Sequence, residues 1–511
     1  MTSFKAESFS HRYIVKIVSS IFIALLNVIV QLLLPRIFTI EEYGYYSYNL
    51  NVFTSIVTVF NLSTSDALVS KFSKSNEEKG YVIFYLRFFA LISIILNIGI
   101  LFLFPTALIR NSFAGQTLCI ILLGLNAAVV RKLLTDITAV FDAMALSKLP
   151  AFWQIIQKIL ITIGVVAGYF IGILNLFAFY IFQIATITII SFILLFNFFH
   201  LHKVQFRNYT KKSIKEYVLE FQSFCKPLVF ATVFSQLIII VKNWALMHWS
   251  GIASSALFGA AWQLNIVISY IFSPYAELMK REFAVIHTNE ELLSYRLRQS
   301  LKIMAWLISF FCIFIVVYAT DVLALLFGDK YSNAVLITQL IMLYTVYQAW
   351  GQIFGSFMLA LEQTKVTSIV SMIGNVFSIV LLYLFQCPNF IWKNGLGAIG
   401  MGWSYVIGNI FSVTLMLCFI TRKMKLNFFK IYIIPFSSMI CCFMCAFLPG
   451  IFLNIILPNN GIITVIFRIF CGGLIYCGLL ILLFWRFPKF VGIDKTVLLQ
   501  KISTWRKRRN G

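Results

Sequence analysis

LCIILLGLNAAVVRKLLTDITAVF, residues 118–141, is long enough to cross a bilayer, yet it carries Arg131, Lys132 and Asp136 near its middle. About twenty predominantly apolar residues span the hydrocarbon core, so the run reads as a membrane helix. A charge at the bilayer centre costs about 2.5–3.5 kcal/mol on insertion scales. Three of them in one helix require a polar surface for that helix to face, and both the fold and the function turn on what that surface is.

The rest of the chain has the same character. Of its 511 residues 60% are hydrophobic and 12% charged, whereas a soluble domain is about half apolar and a quarter charged. Fourteen windows are long and apolar enough to span: 14–38, 43–70, 81–104, 116–141, 151–170, 176–199, 222–247, 252–278, 302–327, 332–361, 366–386, 396–420, 431–455 and 462–485. The predicted fold class is therefore an all-α polytopic membrane protein. The first window, from Ile14 to Phe38, is longer than a signal h-region and lacks a small-residue cleavage site, so it reads as the first span.

The net charge of +23 would suit nucleic acid, but its placement argues for topology. Of 41 Lys and Arg residues, 29 fall in alternate connections beginning with the N-terminus. Four, Arg36 at the outer edge of the first window with Arg110, Lys330 and Lys393, fall on the other side, and the remaining eight lie deeper within spans. The positive-inside bias then places both termini in the cytoplasm, which requires an even number of spans. The outer loops are too short for an extracytoplasmic catalytic domain. YTKKSIKEYVLEF (209–221) sets Ile214, Tyr217, Val218 and Phe221 at helical spacing opposite its lysines, as expected of a helix lying on an anionic leaflet.

An internal repeat organises the spans. EYGYYSYNLN (42–51) opens span two and LFGAAWQLN (257–265) opens span eight; aligning Gly44 with Gly259 gives an offset of 215. FDAMALSK (141–148) leaves span four and MLALEQTK (358–365) leaves span ten, and aligning Lys148 with Lys365 gives 217. Two halves of six spans have the same orientation, so they form a parallel repeat about an axis along the membrane normal. Transporters built this way hold substrate between the halves and rock them to alternate access. The expected divisions are an N-terminal six-helix bundle (1–200), an amphipathic linker (201–221), a C-terminal six-helix bundle (222–420), two appended helices (421–485) and a basic tail (486–511).

LLLPRIFTIEEYGYYSY (32–48) resembles the opening signature of Wzx-type O-antigen and polysaccharide flippases, and LALLFGDKYSNAVLI (323–337) with MLALEQTKV (358–366) resembles their second half. These belong to the polysaccharide transport family of the multidrug/oligosaccharidyl-lipid/polysaccharide (MOP) exporter superfamily. The resemblance implies two helical bundles in a V around a central cavity. It implies a carrier, not an enzyme, that moves undecaprenyl-pyrophosphate-linked oligosaccharide units to the outer leaflet of the bacterial inner membrane by alternating access. It further implies a proton or sodium gradient as the drive, no other cofactor, and a polysaccharide polymerase and chain-length regulator as partners.

The charges within spans give this reading a mechanism. At 1.5 Å per residue, Arg131 and Lys132 lie roughly 5 Å to the cytoplasmic side of the centre, and Arg87 about 8 Å to that side. Lys158 is at a depth similar to that of Arg131, and Lys242 falls in the outer half of span seven, on the opposite lobe. Asp66, Lys226, Glu277 and Arg468 lie nearer span ends. Lys132 and Asp136 share a helix face and can pair, whereas Arg131 points about 100° away and, being less easily satisfied, is the better candidate for an open cavity. A pyrophosphate cannot cross hydrocarbon bare. Arg suits phosphate through its bidentate fork and Lys through point charge. The expected substrate-binding cavity is therefore Arg131, Lys132, Lys242, Arg87 and Lys158; Arg87, Lys158 and Lys226 are also close enough to the cytoplasmic face to snorkel. Asp136 and Asp66 are the carboxylates expected to couple an ion. Burial lets such a carboxyl keep a proton, while pairing opposes it.

The alternative is a multidrug or other small-molecule exporter of the same superfamily. Five deep cations against one deep acid, Asp136, is the wrong sign for cationic drugs. A polymerase or ligase would need a large outer loop, and a channel a recognisable filter. NGLGAIGMG (394–402) contains a literal GxGxxG at Gly395, Gly397 and Gly400 but opens a span and not a βαβ unit. His200 and His202 end a helix, and Cys441, Cys442 and Cys445 sit in an apolar run as packing residues. No ATP-binding loop or metal-ligand spacing stands out.

Overall fold

A computed structural model describes residues 9–74, 80–106, 111–144, 146, 148–201, 214–286, 288–393, 395–458 and 461–486. The linker residues 202–213, with His202, and the basic tail 487–511 lie outside them. The described residues are all-helical: α1 (Phe9–Ile37), α2 (Ile40–Asn61), α3 (Thr64–Lys74), α4 (Gly80–Leu103), α5 (Leu118–Ala143), α6 (Lys148–Ile171), α7 (Leu176–Leu201), α8 (Ile214–Val285), α9 (Glu290–Val317), α10 (Ala319–Phe327), α11 (Val335–Ala360), α12 (Thr364–Gln386), α13 (Gly397–Lys423), α14 (Phe428–Ile456) and α15 (Ile462–Arg486), with a 3₁₀ turn at Asp329–Ala334.

Twelve helices are long and apolar enough to cross a membrane, and the bent pair Ile40–Asn61 plus Thr64–Phe72 supplies another crossing. One of the twelve, Thr232–Val285, has 54 residues and would run about 80 Å if straight, far beyond a hydrocarbon core of about 30 Å. It breaks at Gly251, whose φ of 80° and ψ of 170° are non-helical. Each arm of α8 is long enough for a crossing of its own. This is a multi-pass membrane protein, and its side chains say the same. On α7, Ile190, Leu194 and Phe198 are buried, while Phe192 and Phe196 on the other face are 68% and 71% exposed. Phenylalanines so exposed are costly in water and at home in lipid.

The chain divides into two compact units, Met1–Gly259 and Ala260–Gly511. Within the first, α5 packs on α2 and α7, and α6 on α1 and α7. Within the second, α11 and α12 each pack on α13. The packing of spans four and five on span six recurs as spans ten and eleven on span twelve. The last two helices attach through α9, which packs on α14, and α14 packs on α15.

Local chemistry explains the stretch before α2. Thr39 and Glu42 form a capping box: the Thr39 hydroxyl accepts from the Glu42 N–H at 3.1 Å, and the Glu42 carboxylate accepts from the Thr39 N–H at 3.1 Å. Two orphan N–H groups at the helix start are thereby satisfied. One turn on, a side chain at Gly44 would meet the Ile252 carbonyl oxygen at 2.5 Å, so helix and neighbouring backbone touch there directly. Gly44→Ala is expected to cost about 1–3 kcal/mol through overpacking, read as a lowered thermal midpoint in detergent; an unchanged midpoint would refute the contact.

Candidate functional site

The bend between α2 and α3 is 56° and falls in NLSTSD (61–66). Leu62 and Ser63 both take positive φ, 52° and 58°, so the backbone leaves the helix and exposes polar groups within the membrane. Such groups must find partners, and Asn61 supplies them. Its side-chain carbonyl accepts from the Thr64 hydroxyl at 3.2 Å, the Ser65 N–H at 3.2 Å and the Ser65 hydroxyl at 3.3 Å.

From this bend a closed ring of side chains reaches α4 and α5. The Asn61 amide donates to the Tyr85 hydroxyl at 2.9 Å, and Tyr85 donates to one oxygen of Asp136. Lys132 pairs with the other oxygen at 2.5 Å and donates to the Ser65 hydroxyl at 2.9 Å, which returns to Asn61. Asn61, Tyr85 and Asp136 are buried. The i, i+4 spacing of Lys132 and Asp136 is thus used, and the pair is embedded in a network that locks a broken span to two unbroken ones.

Arg131, one residue along, stands apart from this ring. Its Nε donates to its own Ala127 carbonyl at 3.0 Å, and its terminal nitrogens meet no described acceptor. Lys158 on α6 is within electrostatic range of it, and the Lys158 ammonium bonds to no described residue. Tyr46 and Tyr180 are also within range of Arg131, with ring centroids 6.2 Å apart. Tyr180 is buried, and its hydroxyl lies near the Asn49 side chain. The one buried carboxylate nearby, Asp136, is already taken by Lys132. Two half-buried like charges can accept an anion, and a phosphate oxygen would relieve their mutual repulsion.

The other expected residues are placed as follows. Lys242, expected on the opposite lobe, is instead buried on the first arm of α8 within the first unit; the next residue, Asn243, accepts from the Asn51 amide at 3.3 Å. Arg87 is exposed on α4, away from the buried face that carries Tyr85 and Phe89. Asp66 is exposed in the first turn of α3 and accepts no hydrogen bond from a described residue, though it lies within electrostatic range of Asp136 and Tyr85. Arg468 is buried and pairs with Asp321 at 2.6 Å. Asn61, Ser65, Tyr85, Tyr46 and Tyr180 were not foreseen; the cluster of turn-forming residues in NLSTSD is the signal that marks the first two. Among the described residues no three His, Cys, Asp or Glu side chains gather as a metal site.

No family model matches the chain, and no curated protein matches it. Solved structures do. The fold is similar to that of the lipid II flippase MurJ in an inward closed conformation, with 16% identity, 93% of this chain and 99% of that one covered, and a TM-score of 0.71. It is also similar to an inward-facing multidrug resistance MATE family transporter of the MOP superfamily, with 13% identity, 81% and 98% covered, and a TM-score of 0.64. The chain shares the fold of these two proteins.

Proposed function

We propose that this protein is a flippase that carries undecaprenyl-pyrophosphate-linked oligosaccharide units from the cytoplasmic to the outer leaflet of a bacterial inner membrane, for O-antigen or another surface polysaccharide. The observation that carries this reading is that Arg131 and Lys158, on neighbouring membrane-spanning helices and within electrostatic range of one another, form no ion pair with a described carboxylate, Asp136 being held by Lys132. An anionic headgroup answers it and a cationic drug does not. Binding energy offsets the desolvation of the pyrophosphate while the polyprenyl tail stays in lipid. The likeness to a lipid II flippase supports a lipid-linked cargo through the fold alone. In this reading both termini are cytoplasmic, Lys132 and Lys242 extend the cationic surface, and a polymerase and a chain-length regulator receive the product.

Asp136 couples an ion in this proposal, with Asp66 beside it. A proton on Asp136 cancels its attraction for Lys132 and frees a second cation for substrate. Sodium would act through the same carboxylate.

The test is reconstitution. A fluorescent undecaprenyl-pyrophosphate oligosaccharide is placed in the inner leaflet of liposomes, and its exposure to an external glycan-cleaving enzyme is followed. Exposure faster than in protein-free liposomes is expected. Exposure at the protein-free rate across proton and sodium gradients, together with transport of cationic dyes, would replace this reading with a drug exporter.

A further inference from the structure

The second unit holds a separate charged cavity. It has a volume of about 280 Å³ and lies where α9 gives way to α10, against α14 and α15. The break is at Tyr318, with φ −97° and ψ 24°. Its ring rests where Gly450 and Gly472 present no side chain. The inner wall carries Asp321 and Arg468, bonded at 2.6 Å, and the Arg468 guanidinium also donates to Asn454 at 2.9 Å. Thr320 and Tyr318 complete the polar lining. Tyr318 is 4% exposed, and its hydroxyl has no hydrogen-bond partner among the described residues.

The opposite wall is apolar and faces outward. Phe447 and Ile451 line the cavity and are 41% and 44% exposed, on a helix whose outer face is otherwise hydrocarbon-seeking. The polar groups cluster at the end where α14 and α15 join: Asn454 is two residues from the end of α14 and Phe447 about 10 Å deeper along the axis. A cavity polar at headgroup depth, apolar below and open sideways to acyl chains has the form of a lipid site.

The charges choose the headgroup. An anionic one meets the Asp321 carboxylate, and a purely cationic one meets the Arg468 guanidinium. A zwitterion satisfies both. A primary ammonium can donate to the carboxylate, which a quaternary ammonium cannot, and phosphate suits the guanidinium fork.

We propose that this cavity binds the headgroup of a membrane aminophospholipid, with its phosphate on Arg468, its ammonium on Asp321 and its proximal chain against Phe447 and Ile451.

The experiment is native mass spectrometry of the full chain released from nanodiscs that contain phosphatidylethanolamine, phosphatidylcholine or phosphatidylglycerol at equal mole fraction. Wild type is expected to retain one phosphatidylethanolamine roughly tenfold more than either competitor. The paired variant Asp321→Asn with Arg468→Gln leaves no lone buried charge, and it is expected to lose that preference. Ile451→Trp, on the lipid-facing mouth, is expected to lower retention with the fold unchanged. Equal retention of the three lipids by wild type, a preference for phosphatidylglycerol, or undiminished phosphatidylethanolamine on the paired variant would each overturn the proposal.

Discussion

Replacing Arg131 and Lys158 together with alanine and methionine abolishes transport of the pyrophosphate-linked substrate. A hydrogen bond to a charged group contributes about 1.5–3 kcal/mol, so each single substitution is expected to weaken substrate binding roughly tenfold to a hundredfold. Arg131→Lys should fall between wild type and Arg131→Ala, because it keeps the charge and loses the fork. Stability is expected to move the other way. Lys158 is half-buried near a like charge with no acid to meet it, so Lys158→Met removes a repulsion and a desolvation cost. The variant should unfold at a higher temperature than wild type while transporting less, the trade-off of a site held ready for a ligand. The check is leaflet exposure in liposomes beside the thermal midpoint in detergent. Wild-type transport by Lys158→Met would remove that residue from the site, and a lowered midpoint would make it structural.

Asp136→Ala has the largest expected effect on the fold. It strips Lys132 of its carboxylate and Tyr85 of its acceptor, leaving the ammonium with the Ser65 hydroxyl and no counter-charge beside the Asn61 bend. Breaking a buried pair on one side costs about 3–5 kcal/mol; Lys132 retains some exposure, so about 3 kcal/mol is expected here. Removing both partners, as Lys132→Met with Asp136→Leu, should recover much of that loss, since no charge is then left alone. A double-mutant cycle on thermal or denaturant unfolding measures the coupling. Coupling near zero would mean that Asp136 and Lys132 act independently and that the ring does not hold the bend.

The spans were legible because hydropathy alone decides whether a helix crosses lipid, and the windows fall on the observed helices from α1 to α15. The pairing of Lys132 with Asp136 was legible for an equally local reason, four residues on one helix. The bend was not. NLSTSD sits inside a stretch apolar enough on average to read as one helix, and only its turn residues betray the break. Nor could the sequence set Lys158 beside Arg131, because which face of α6 meets α5 is settled by packing of the whole unit. Arg87 shows the same limit from the other side: its depth is readable and its direction is not. Tyr180 reads from sequence as one more aromatic residue in an apolar run.

Gly251 carries a further consequence. An added side-chain carbon there would meet nothing within 4 Å, so by space alone any residue fits. Its φ of 80° with ψ of 170° belongs to a region that essentially only glycine occupies. Every single-nucleotide change that replaces glycine with another residue installs a side chain, so no one-step route around this position exists in the genetic code. Gly99 and Gly355 have equally open surroundings and ordinary helical backbone, and are free to drift. Among distant homologues, then, the joint between the two arms of α8 should be the more durable marker of common descent, although no neighbouring atom enforces it.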